Sequence, residues 1–158
     1  MDDAHRGTVQ RFWQAFNDRD LSLLDDLFAD EYVNHATIPG TPPGPEGQAQ
    51  VMQRLWTAFP DARVETTGPR LHDDRYVAAP CKVVATHRGE LPRLPPTGNF
   101  VVVHAVLYCE LDAPRERLWR VRAFFDAYEA GMQLGLLPKH GTLGERALLM
   151  LRGFGLRA

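Results

Sequence analysis

The sequence predicts an α+β domain, with helices laid down first and a block of strands after them. Three observations carry this. Apolar residues recur at helical spacing through roughly the first sixty positions; from Ala62 onward they form strand-like runs; and no repeat, low-complexity tract or linker divides the 158 residues. A chain of this length supports one sizeable core and is short for two. The domain is expected over 1–138, with 139–158 as a helical tail packed on the domain or at an oligomer interface.

The elements follow in order. Val9, Phe12, Trp13 and Phe16 mark one face of a first helix, and "DRDLSLLDDLF" places Leu21, Leu24, Leu27 and Phe28 on a second, short helix beginning near Asp20. The proline- and glycine-rich "EYVNHATIPGTPPGPEG" forbids regular structure and predicts a loop over a pocket mouth. Val51, Met52, Leu55, Trp56 and Phe59 define a third helix. Four strand runs come next: "ARVETTGPRL", "RYVAAPCKVVATHRG", "NFVVVHAVLYCEL" and "RLWRVRAFFDAY". They read as an antiparallel meander joined through "ELPRLPPTGN" and "DAPRER". After Pro138, Leu143, Ala147, Leu148 and Leu151 fit one face of a last short helix.

A formal net charge of −2 supplies no cationic footprint, so neither nucleic acid nor an anionic membrane is an expected partner. The polar start "MDDAHRGTVQRF" has no apolar run behind a basic segment, and no window reaches the length of a membrane span. A cytoplasmic location is expected. Cys81 and Cys109, the only cysteines, fall in strands, where free thiols serve as small apolar residues.

Asp126, in "RAFFDAYEAGMQLGLLP", is the first candidate for chemistry. Among Phe124, Phe125 and Tyr128 a carboxylate loses hydration unless something uses it. Strand alternation puts it on a face with Arg120, Arg122, Phe124 and Tyr128, and does not say which face looks inward. It is therefore an ion-pair partner of Arg122, an N-cap for the following helix, or a base in a pocket. His104 interrupts "FVVVHAVLY" as a core histidine or a pocket group. Trp13, Phe16, Trp56, Phe59 and Tyr108 are core aromatics, the lining of an aromatic cavity, or both. His35, with Asn34 beside it, opens the flexible loop, and His87 ends a strand ahead of Gly89. There is no His-x-His, His-Glu-x-x-His or Cys-x-x-Cys spacing, no Gly-x-Ser-x-Gly elbow, no phosphate-binding loop and no dinucleotide fingerprint. Acid/base chemistry with no metal or cofactor remains.

Five segments in order, "YVNHA", "PPGPEG", "FPDARVE", "THRGEL…LPPTGN" and "VRAFFDAYEAGMQLG", resemble the SnoaL-like polyketide cyclases of the nuclear-transport-factor-2-like superfamily over about residues 8–138. The resemblance implies a ketosteroid-isomerase-like cone: a curved antiparallel sheet whose N-terminal helices close a deep apolar pocket. It implies Asp126 as general acid and base, His35 at the rim and His87 orienting substrate or Asp126, all three in one pocket. Asn34, Trp13, Phe16, Trp56, Phe59, His104, Tyr108, Arg122 and Phe124 become the expected substrate contacts. The implied activity is cofactor-free aldol ring closure of an apolar or aromatic small molecule, in a homodimer or homotetramer. Related folds also carry hydroxylases, isomerases, hydrolases and non-catalytic binding modules. The sequence departs from the family in its longer "LDAPRERL" turn and its extra tail.

Overall fold

A computed structural model describes residues 2–34, 40–91, 94–112 and 117–151. Four helices, α1 (Asp2–Asp18), α2 (Gly44–Ala58), α3 (Ala127–Gln133) and α4 (Leu143–Leu151), accompany six strands: β1 (Phe28–Asn34), β2 (Arg63–Thr66), β3 (Leu71–His72), β4 (Tyr76–Thr86), β5 (Phe100–Asp112) and β6 (Arg117–Phe125). One sheet runs in the order β1-β6-β5-β4-β2, with β3 also on β4.

The α+β class stands, and the detail near the start changes. The expected second helix is a single 3-10 turn, Leu21–Leu24, capped by Asp20, whose carboxylate accepts from Ser22 N at 2.9 Å. Phe28 belongs instead to β1, an edge strand parallel to β6, so the sheet is mixed and not a pure meander. The run "ARVETTGPRL" is broken into β2 and β3 around Gly68 and Pro69, since proline cannot donate to a ladder. Helix α2 begins earlier than the loop reading allows. Pro45 stands in its first turn, where the missing N–H has no intrahelical partner to lose, and Glu46 complements the helix dipole there.

Cross-strand register separates the two sheet faces. Val77, Ala79 and Cys81 of β4 lie opposite Cys109, Leu107 and Ala105 of β5, and Cys109 opposes Val121 of β6. This face packs on Val9, Phe12, Trp13 and Phe16 of α1 and Met52 of α2 as one core. A register shift between Glu110 and Leu111 breaks the alternation, which lets Leu118 and Val121 both be buried. The opposite face carries Val106, Tyr108 and Phe124, all exposed. The two thiols are free, and burial pushes Cys109 up to about 12. Among the described residues no helix is long and apolar enough to cross a membrane.

Candidate active site

Strand β6 stops at Phe125, opposite Ala105, while β5 extends on toward Phe100. Beyond that point α3 takes the place of a strand. Asp126 makes the junction: in extended backbone conformation it accepts at Oδ1 from Tyr128 N at 2.9 Å and from Glu129 N at 3.0 Å, the geometry of an N-cap. Its Oδ2 has no partner among the described residues. Residues 126, 129, 130 and 133 fall on one side of a helix by spacing alone. Asp126, Glu129, Ala130 and Gln133 accordingly line one recess of about 400 Å³, together with Val102, Val103 and His104 of β5.

Asp126 is exposed, as are Phe124 and Phe125 beside it, at 57% and 44%. The expectation that its apolar neighbours would strip it of water is corrected: the strand end leaves their rings in solvent. Arg122 lies across from Tyr108 on the uncovered sheet face and forms no ion pair with Asp126. His104 is exposed mid-strand in the recess with Asp126.

His87 lies elsewhere. It is 0% exposed, with its ring 5.2 Å from that of Phe59. Its Nδ1 accepts from Thr97 N at 3.2 Å and stands 3.1 Å from Thr97 Oγ1. An accepting Nδ1 puts the neutral ring's proton on Nε2, which is buried without a partner among the described residues. The adjoining Arg88 and Gly89 N–H groups both donate to Ala58 O at 2.9 Å, anchoring this strand end to α2. His87 is absent from the recess that Asp126 lines, and His35 lies outside the described residues, as does 113–116 of the "LDAPRERL" turn. Asn34 ends β1 in register with Val121.

The aromatic candidates divide. Trp13 and Phe16 are core, Trp13 beneath the Arg70 guanidinium at 4.9 Å. Trp56 is half-buried, 5.8 Å from the Phe16 ring, with Nε1 donating to Phe16 O at 3.1 Å. Phe59 packs half-buried against the same core. Tyr108 stacks on Tyr76 at 5.6 Å and meets Phe124 edge-on at 6.5 Å, on the sheet face away from α1 and α2. These last three cannot share a pocket with Trp13 and Phe16, because the sheet stands between them. On the core side, Tyr32 donates from its hydroxyl to Gln48 Oε1 at 3.2 Å, and burial, then nearby Cys109, pushes the phenol well above its ordinary range.

Sequence reasoning missed Glu129 and Gln133 as recess residues. Their i+3 and i+7 spacing from Asp126 was the available signal. For metals, no group of three His, Cys, Asp or Glu side chains is assembled among the described residues.

A mixed sheet with α1 and α2 packed on one face, its strand end and α3 framing a carboxylate, has a nuclear-transport-factor-2-like α+β fold. Solved structures agree on that fold. TsrD from Streptomyces laurentii superposes with a TM-score of 0.76 at 18% identity, over 87% of this chain and 98% of that one. AclR, a proposed hydroxylase from Streptomyces galilaeus, gives 0.73 at 21%, over 94% and 96%. IdmH, a proposed polyketide cyclase from Streptomyces antibioticus, gives 0.69 at 27%, over 83% and 98%. No curated protein matches the chain in sequence. The family model for SnoaL-like polyketide cyclase matches residues 7–134. The chain belongs to that family.

Proposed function

We propose that this protein closes a ring in an aromatic polyketide-like substrate by intramolecular aldol condensation, with its own side chains as the only acid and base. The observation that carries the reading is the divided use of the Asp126 carboxylate. Oδ1 is fixed by two backbone N–H groups, and Oδ2 is left for a ligand in a recess that also holds an imidazole, His104. A base whose orientation is set beforehand loses little freedom when substrate arrives.

In the proposed step Oδ2 removes a proton from a carbon flanked by two carbonyls. The enolate attacks a second carbonyl of the same molecule, forming the carbon–carbon bond. The new alkoxide takes a proton from Asp126, now protonated, or from a histidine, with His104 adjoining and His35 the partner that the family resemblance suggests; His87, buried against Phe59, takes no part. Delocalisation over the conjugated substrate stabilises the enolate, so the step balances through proton transfers alone.

The exposure of Asp126 favours a second reading, a ligand-binding module of the same fold, because a hydrated carboxylate is a less forceful base than one in a dry pocket. Likeness to a proposed hydroxylase adds a related pocket enzyme as a variant. Incubation with linear poly-β-carbonyl compounds, as free acids and as esters, tests the readings. The cyclase reading expects a cyclic isomer of unchanged mass, or that mass less one water, and unchanged rates after exhaustive chelation. Tight binding with no conversion of any such acid or ester would favour the module.

A further inference from the structure

The family match ends at residue 134, and Gly135, Lys139 and His140 beyond it complete a second recess lined mainly by residues inside the match. This one has a volume of about 700 Å³ and includes Phe100, Met132, Lys139 and His140. Glu129 and Gln133 line it too, so they form a wall common to it and to the Asp126 recess. Its position is fixed from three sides. Tyr128 donates from its hydroxyl to Pro138 O at 3.1 Å, and the Tyr128 and His140 rings stack at 4.5 Å. His140 Nδ1 lies 2.7 Å from Glu145 Oε1, and the same carboxylate accepts from Gly141 N through Oε2 at 2.7 Å.

The charges in this recess are unevenly used. Glu129 accepts from Gln133 Nε2 at 3.0 Å, and Nδ1 of His140 is taken by Glu145. The Lys139 ammonium has no partner among the described residues. Beside it stand two apolar side chains, Met132, half-buried, and Phe100, 61% exposed. An unpartnered ammonium beside an uncovered aromatic ring and a thioether matches a ligand with a flat apolar body and an anionic end.

Resting on the cyclase reading, we propose that the C-terminal extension supplies a specificity subsite in which Lys139 receives a carboxylate of the substrate, while Phe100 and Met132 carry its apolar body. The substrate class narrows to aromatic or polyketide acids with a free carboxylate, handled with the reacting carbons toward Asp126 and the acid toward the tail. Lys139 is a binding residue here, with no part in the proton transfers.

The probes are anthraquinone-2-carboxylate and its methyl ester, titrated into the full chain by calorimetry. Lys139 is exposed, so wild type should bind the acid about two- to fivefold more tightly than the ester, the range for a solvent-exposed ion pair. Lys139→Met should remove that preference with ester affinity and melting temperature unchanged, and Lys139→Arg should keep it. Equal binding of acid and ester by wild type, or equal losses for both in Lys139→Met, would overturn the subsite. Titrating Asp126→Asn in parallel separates the two claims. Retained acid preference with full turnover in that variant overturns the acid/base reading alone; lost turnover without any acid preference in wild type overturns the subsite alone.

Discussion

Gln133 closes both backbone groups of Val102: its Oε1 accepts from Val102 N at 2.6 Å and its Nε2 donates to Val102 O at 3.0 Å. One amide side chain thus stands in for the residue of β6 that would otherwise pair there, and it fixes α3 against the sheet beside the recess. Gln133→Ala leaves two partly buried backbone groups unpaired. It should cost about 1–3 kcal/mol in denaturant unfolding and speed hydrogen exchange at the Val102 amide. An unchanged midpoint and exchange rate would show that α3 is held by other contacts.

Gly89 meets α2 more closely than any side chain permits. A Cβ built there would lie 2.0 Å from Thr57 O, a backbone atom that cannot swing aside. Gly89→Ala should therefore push the end of β4 off Ala58 and destabilise the fold by about 1–3 kcal/mol or more. Thermal melting measures it, and a variant as stable as wild type would mean that this contact relaxes freely.

Both thiols should be silent in the folded protein. Burial, then the neighbouring Cys81, raises Cys109 to about 12, and burial raises Cys81 as well. Little thiolate exists at pH 8, so iodoacetamide should label neither until denaturant is added. Rapid native labelling of Cys109 would contradict its place in the core.

The junction of α3 with the tail should loosen only in acid. The Gly141 N–H, and next His140, hold the Glu145 carboxyl below the usual glutamate range. A depressed native value means that its contribution is complete above the unfolded value of about 4.3 and is lost as pH falls through the lowered native one. Protection against hydrogen exchange over residues 139–146, measured relative to the intrinsic rate at each pH, should fall across that acid window in wild type. Glu145→Gln should show low protection at every pH; a pH step in protection persisting in it would assign the effect to another group.

The sequence made some of this legible. Helix α1 announces itself because Val9, Phe12, Trp13 and Phe16 keep a strict helical period and all reach the core. β1 hides because Phe28 extends the helical spacing of Leu21, Leu24 and Leu27, Tyr32 falls in the stretch that its prolines and glycines mark as loop, and the partner strand β6 lies near the other end of the chain. Alternation along β6 grouped Arg122 and Phe124 correctly, yet only packing says which face the helices cover. Asp126 was marked by its neighbours and by family likeness. Its division between cap and open oxygen depends on where β6 stops, which no local pattern encodes.

The replacement Asp126→Asn tests the central claim most directly, because asparagine caps a helix about as well as aspartate but cannot take the proton. Single-turnover ring closure and melting temperature are measured on the same preparation, with Asp126→Ala beside it to report the loss of the cap, about 0.5–2 kcal/mol. The account predicts that Asp126→Asn melts within a degree or two of wild type while ring closure slows about 10²- to 10⁴-fold. Full activity in Asp126→Asn, or a loss no larger than the unfolded fraction explains, would contradict it and leave Asp126 as a helix cap alone.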